Sequence, residues 1–294
     1  MSEDQALTHG SRSTRASPAG RHSVADAVTA LFVPGDRPDR FAKAATAGAD
    51  LVIIDLEDAV PTDRRDEATR TAVAALDAGM QAVVRVVAAT DVAYRRQLDQ
   101  LSRTTPLAIM LAKAERADDV ADADVLLGGG TPLIPLVESA AGIANAGSLA
   151  SAPRVARLAF GAFDFVLDVD GDAPALLDYA RSALVVASRV AQVAAPLASP
   201  PGEIRELDLV RAEARASRAA GFGGMLTIHP AQVPVVNAAF SPTQAEADEA
   251  RRILGALEGV SAVDGRMVDR PIIERAKRTL SRWGRLSGTP PERP

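Results

Sequence analysis

The chain has 294 residues and no cysteine, which excludes disulfides, thiolate metal sites and a cysteine nucleophile. Its net charge is −5 without a long basic run, which argues against general nucleic-acid binding. No apolar stretch reaches the roughly 18 residues of a membrane span, and no secretory signal core is present, so a reducing cytoplasm is the expected location.

Residues 1–25 are polar, rich in Ser and Arg and aperiodic, and read as a disordered tail. His9 and His22 fall in it. From there one theme recurs: a short apolar run ends in a polar or charged residue, and an Ala-rich amphipathic segment follows. The runs are ALFVPG (30–35), LVIIDLE (51–57), QAVVRVV (81–87), LAIMLAK (107–113), PLIPLVE (132–138), RLAFGAFD (157–164), a weaker APLASP (195–200) and GMLTIHP (224–230). Eight continuous apolar strands alternating with helices predict a closed parallel (β/α)8 TIM barrel, an α/β fold, over residues 26–240. No GxGxxG follows the first strand and no GxxxxGK[ST] occurs, so nucleotide-binding open sheets lose support. The glycines at 128–130 read as a turn. Residues 241–294 read as a C-terminal helical extension for packing on another subunit. Its first helix is expected to be capped by Ser241 with Pro242 at the first helical position, and its last is expected over 271–284.

Glu57, Arg85, Lys113, Glu138 and Asp164 end successive runs at steps of 28, 28, 25 and 26 residues. In a barrel those ends converge on one face, so five strands would deliver charge to one mouth. Two carboxylates without His or Cys partners suit a hard cation such as Mg2+, with water and substrate oxygens completing its shell. Glu138 and Asp164, on neighbouring strands, are the candidate pair. Arg85 is placed to hold an anionic or carbonyl oxygen. Asp55 reads as structural, since alternation points it opposite to the neighbours of Glu57, and His229 reads as a hydrogen-bonded structural histidine. Arg37, Arg40 and Lys43 form either a solvated helix face or a phosphate contact. Asp168, Asp170 and Asp172 lack the glycine position and closing glutamate of a calcium loop.

Over about residues 29–280 the chain resembles the citrate lyase β-subunit-like branch of the HpcH/HpaI aldolase and citrate lyase superfamily. The resemblance rests on LFVPGDRPDRFAKA, ADLVIIDLEDAV, VVRV, PLVESAAG, FGAFDF, LTIHPAQ and GRMVDRP in that order. It implies a TIM barrel with Mg2+ held by Glu138 and Asp164, and Arg85 in contact with the substrate and the transition state. Glu57 and Asp58 would shape the same pocket. Arg37 and Lys43 would lie along a coenzyme A tail, with Lys113 beside the substrate. Asp269 would reach a neighbouring subunit's site in a homo-oligomer, a trimer or hexamer. Three departures stand out: Val87 replaces the usual asparagine, Ala112 the proline before Lys113, and PLASPPGEIRELD carries an unusual proline pair.

The chemistry implied is Mg2+-dependent carbon–carbon cleavage beside a thioester, giving acetyl-CoA and a 2-oxo acid from a malyl-, citramalyl- or citryl-CoA type substrate. The proton acceptor would be Glu57 or Asp269. Rival readings are an aldolase acting on free 4-hydroxy-2-oxo acids, an acyl-CoA thioesterase and a non-catalytic subunit of a lyase complex.

Overall fold

The structure is a computed structural model that describes residues 23–255, 262–263, 266–267 and 269–287. Most of the expected tail, with His9 and His22, therefore lies outside the described residues, as do 288–294. Eight strands follow in order: β1 (Thr29–Pro34), β2 (Leu51–Asp55), β3 (Val83–Val86), β4 (Ala108–Leu111), β5 (Leu133–Val137), β6 (Arg157–Phe160), β7 (Ala194–Ala198) and β8 (Gly224–Thr227). Each pairs in parallel with the next, and β1 pairs with β8, closing the barrel. All eight expected runs carry a strand.

The helices are α1 (Phe41–Ala45), α2 (Arg65–Asp77), α3 (Tyr94–Leu101), α4 (Ala117–Leu126), α5 (Ala140–Ala144), α6 (Ala146–Ala150), α7 (Ala162–Val169), α8 (Pro174–Val190), α9 (Leu207–Ala220), α10 (Gln232–Phe240), α11 (Gln244–Gly255) and α12 (Arg270–Ser287). A two-residue antiparallel pair, β9 (Ala262–Val263) with β10 (Arg266–Met267), precedes α12. None of the described helices is long and apolar enough to cross a membrane.

Alternation along the strands divides the apolar residues into two cores. Leu51, Ile53, Val83, Met110, Ile134, Leu136, Leu197 and Leu226 fill the barrel interior. The alternate residues on the other face, such as Val84, Val86, Ile109 and Val137, pack beneath the surrounding helices. Continuous apolar runs are needed because both faces of each strand are covered.

The floor of the barrel is closed by a charged residue. Arg157, at the start of β6, is fully buried and donates to the carbonyls of Ala195, Val24 and Ala27, the last at 2.7 Å. Burial draws its pKa down to about 10, against weaker support from Asp26 and Asp50. Gly223 makes room for it, since a Cβ there would stand 2.7 Å from Nη2. Val24 already belongs to this floor, so the chain is packed from the start of the described residues. Arg157→Met should cost about 2–4 kcal/mol, because three carbonyls lose their donors in a buried layer. Urea unfolding at unchanged m-value measures this. A loss under 1 kcal/mol would mean that water satisfies those carbonyls.

The helix after the barrel starts differently from the sequence expectation. The cap of α11 is Thr243, not Ser241. Thr243 Oγ1 accepts from the Glu246 N–H at 3.2 Å, and Glu246 Oε2 accepts from the Thr243 N–H at 2.7 Å, a reciprocal capping box. Ser241 is spent on the preceding helix, its hydroxyl donating to the Asn237 carbonyl at 2.8 Å. Glu246 also pairs with Arg218 of α9 at 3.0 Å, which ties α11 to the barrel shell.

Candidate active site

The inward series Leu51–Ile53–Asp55 on β2 and Val83–Arg85 on β3 ends at the barrel mouth in a directly paired couple, since Asp55 and Arg85 are register partners. Arg85 Nε donates to Asp55 Oδ1 at 2.7 Å and Nη2 to Oδ2 at 2.6 Å, a two-pronged contact that a planar guanidinium makes well. Asp55 is 1% exposed and Arg85 7%. The same carboxylate accepts from the N–H groups of Glu57 and Ala59 at 3.0 and 3.1 Å, so it also holds the turn after β2. Asp55 thus holds both Arg85 and the turn in place at the mouth itself. Inside the strand it shares the inward face of Leu51 and Ile53, whereas Glu57 lies beyond the strand end, where alternation no longer applies.

Arg85 gathers two further carboxylates. Nη1 donates to Asp58 Oδ2 at 3.2 Å and lies 3.2 Å from Glu57 Oε2. The second contact is an ion pair without hydrogen-bond alignment, and Glu57 Oε2 is buried with no donor. The guanidinium also stands 4.7 Å from the centroid of the Phe32 ring, which supports its positive charge from below. Burial works to lower the Arg85 pKa, but Asp55 and its neighbours outweigh it and hold the group above its ordinary value.

The second half of the mouth is built around Lys113, two residues past β4. Its backbone has φ of 50°, rare for a residue with a side chain. That conformation aims its N–H at Glu138 Oε1, 2.8 Å away. Its ammonium lies 3.4 Å from Glu57 Oε1 and 3.2 Å from Asp164 Oδ2. Glu138 directly follows β5 and is 5% exposed. Its Oε2 lies against Gly161, where a Cβ would collide with that oxygen and come within 2.9 Å of the Glu138 Cβ. Asp164 does not end a strand: β6 stops at Phe160 and Asp164 sits in the first turn of α7. The apolar string FGAFDF conceals that transition. Gly161 at the N-cap has no capping side chain, and the Ala162 N–H is satisfied instead by Ser199 Oγ from the loop after β7 at 3.1 Å.

Glu138 and Asp164 both line one cavity of about 420 Å³ at the C-terminal end of the barrel, together with Arg85, Asp55, Asp58 and Arg40. Phe32, Leu136 and Leu226 form its apolar base, and Phe163, Pro200 and Ile228 its rim. Burial pushes the Glu138 carboxyl up to about 8, against the Lys113 N–H, and the Glu57 carboxyl up to about 7, against Arg85. The charged form of both carboxyls is therefore disfavoured in a partly dry place with incomplete compensation. No cluster of three or more His, Asp or Glu suited to a metal occurs among the described residues. Two carboxylates with an open cavity beside them nevertheless fit magnesium, which keeps most of its oxygen ligands from water and substrate. Imidazole- or thiolate-seeking metals have nothing to bind here.

Other expected residues fall elsewhere. Glu57 and Lys113 are not among the residues that line the cavity. Arg37 pairs with Asp39 at 2.8 Å in solvent, and Lys43 is exposed on α1, so neither lines the cavity; of that basic set Arg40 does. The tight turn Pro38–Arg40 is what brings Arg40 inward, and spacing alone did not reveal it. Asp269 is exposed, accepts from the Ile272 N–H at 3.2 Å as the cap of α12, and is not part of the lining. His229 is exposed, its Nδ1 accepting from the Ala231 N–H at 3.1 Å. Asp168, on α7, accepts from the Ala140 N–H at the start of α5, and Asp170 ends α7 in a left-handed conformation.

Residues 29–230 match the family model of the HpcH/HpaI aldolase/citrate lyase family. A citrate lyase subunit beta-like protein of Mycobacterium tuberculosis is 35% identical over 271 residues, covering 86% of this chain and 94% of that protein. An L-malyl-CoA/beta-methylmalyl-CoA lyase of Cereibacter sphaeroides is 31% identical over 291 residues, covering 84% and 91%. Among solved structures, the protein CitE from Mycobacterium tuberculosis in complex with magnesium, acetoacetate and coenzyme A superposes with a TM-score of 0.80 at 32% identity, covering 88% of this chain and 99% of that one.

Proposed function

Because the chain belongs to the HpcH/HpaI aldolase/citrate lyase family, we propose that it is a magnesium-dependent acyl-CoA lyase. It would cleave or form the C2–C3 bond of a 3-hydroxyacyl thioester of the malyl-, citramalyl- or citryl-CoA type. The observation that carries this reading is one cavity faced by a two-carboxylate pair, Glu138 and Asp164, and by a buried, fixed guanidinium, Arg85. A scaffold subunit has no need to hold five carboxylates and two cations in a partly dry place, where uncompensated charge is costly.

In cleavage, the 3-hydroxyl gives up its proton, C3 becomes the carbonyl of a 2-oxo acid, and the C2–C3 electron pair passes into the thioester. The resulting enolate is then protonated at C2 to give acetyl-CoA. Glu138 and Asp164 would hold magnesium, which when bound supplies a Lewis acid beside the hydroxyl oxygen. Arg85 stabilises the charge arriving at the thioester oxygen. Its bonds to Asp55 and Asp58 leave one N–H on each terminal nitrogen for that purpose. The donors are fixed before substrate arrives, which is what makes such a contact effective in the transition state. Glu57 is the assigned proton acceptor, since a carboxyl near neutral pKa both takes and returns a proton readily. Arg40 and the apolar rim of Phe163 and Ile228 receive the coenzyme A arm. Asp269, exposed at the start of α12, is assigned to the cavity of a second copy in a homo-oligomer.

The test is incubation with malyl-, citramalyl- and citryl-CoA in magnesium or in EDTA, with 2-oxo acid and free thiol measured separately. The expected result is magnesium-dependent oxo-acid release without thiol. Thiol release alone would show a hydrolase, and absence of oxo acid from every thioester would remove the lyase reading.

A further inference from the structure

Lys113 touches three of the acidic side chains of the mouth and does so by two separate routes. Its backbone N–H holds Glu138 Oε1 at 2.8 Å. Its ammonium lies 3.2 Å from Asp164 Oδ2 and 3.4 Å from Glu57 Oε1. The left-handed backbone is what allows one residue to reach both sides, and strain of this kind persists where the surroundings over-determine it.

The two cations of the site are built differently. Arg85 is locked by the fork of Asp55 and stacked over Phe32. The Lys113 ammonium is a compact charge on a flexible stem, and its side chain is 44% exposed, so it has room to leave. A divalent ion shared by Glu138 and Asp164 needs the carboxylate that this ammonium occupies. It also repels the ammonium, since charges of +2 and +1 a few ångströms apart oppose each other strongly even under partial screening.

We propose that Lys113 is a competing internal cation. Its ammonium neutralises Asp164 and Glu57 in the metal-free protein, yields Asp164 when the divalent ion binds, and in withdrawing uncovers Glu57. The backbone hold on Glu138 persists through the exchange, because it does not depend on the side chain. Lys113 is thus a positioning residue that couples ion binding to exposure of the proton acceptor. The inference rests on the reading of Glu138 and Asp164 as the ion-binding pair.

Competition and simple support of the site predict opposite signs. If the ammonium competes, Lys113→Met binds the divalent ion more tightly than the unsubstituted protein, by about fivefold or more, while turnover falls. If it merely props the carboxylates in place, Lys113→Met binds more weakly. The measurement is manganese(II) binding by electron paramagnetic resonance, with the full-length protein and no substrate. Lys113→Arg, which keeps the charge, should stay near the unsubstituted affinity. The gain should vanish in Lys113→Met combined with Asp164→Asn, because the contested carboxylate is then gone. Should Lys113→Met fail to fold, Lys113→Asn carries the same expectation, since asparagine tolerates the left-handed backbone. Unchanged or weaker binding in the charge-removing variant overturns the inference and leaves the ion pair standing. No manganese binding by the unsubstituted protein overturns the ion pair itself, and the inference with it.

Discussion

Replacing Arg85 by methionine is expected to lower turnover by about 10³-fold or more and to destabilise the fold by about 3–5 kcal/mol. Both losses come from one side chain, for different reasons. The first follows from removing the fixed donor beside the thioester oxygen. The second follows from what remains: Asp55 is 1% exposed and would keep a buried charge without its counter-ion. Arg85→Lys separates the two. A lysine preserves the positive charge next to Asp55, so most of the stability should return. It cannot reproduce the two-pronged contact or offer two spare N–H groups, so turnover should stay at least about 10² below normal. Urea unfolding reads the stability and oxo-acid release reads the turnover. If Arg85→Lys turns over within tenfold of the unsubstituted protein, Arg85 acts as bulk charge and the assignment of directed donors is wrong. Arg85→Met combined with Asp55→Leu should recover part of the stability and none of the turnover. Recovery stays partial because Asp55 also accepts from the N–H groups of Glu57 and Ala59.

The barrel is readable because its strands are covered on both faces and therefore appear as unbroken apolar runs, of which even the weak APLASP covers all but the first residue of β7. What escaped was whatever depends on groups far apart in the chain. Asp164 was placed at a strand end because the cap that starts α7 comes from Ser199, a residue from another loop. Arg157 heads one of the apolar runs without any local cue to its role, since its partners are carbonyls of residues 24, 27 and 195. The series Leu51–Ile53–Asp55 gives the inward direction of Asp55, but its partner Arg85 is set by pairing between strands and has no local cue. The pattern Thr243-x-x-Glu246 was available as a capping box, but Ser241–Pro242 offered a rival start two residues earlier. Nothing local in the sequence marks Ser241 as the donor to the Asn237 carbonyl. Nothing in the sequence signals the left-handed Lys113, because a lysine gives no local cue for that backbone.

Gly161 carries the other large expected effect, and it touches neither charge nor hydrogen bonding directly. Gly161→Ala should weaken manganese(II) binding by about tenfold or more and lower turnover by about 10², a misplacement effect of the size a shifted catalytic group produces. The added Cβ would collide with Glu138 Oε2 and crowd the Glu138 Cβ at 2.9 Å. Glu138 has little freedom to retreat, because its other oxygen is held by the Lys113 N–H. The backbone is not the obstacle: φ of −108° and ψ of 87° are open to alanine. Overpacking of this kind costs about 1–3 kcal/mol, so the protein should remain folded and the loss should be local. Glu138→Gln supplies the comparison, keeping the shape while removing the charge. Both variants should lose ion affinity, the first through displaced geometry and the second through lost charge. Retention of ion affinity within twofold in both would show that Glu138 is not a ligand, and that the divalent ion is held elsewhere in the mouth.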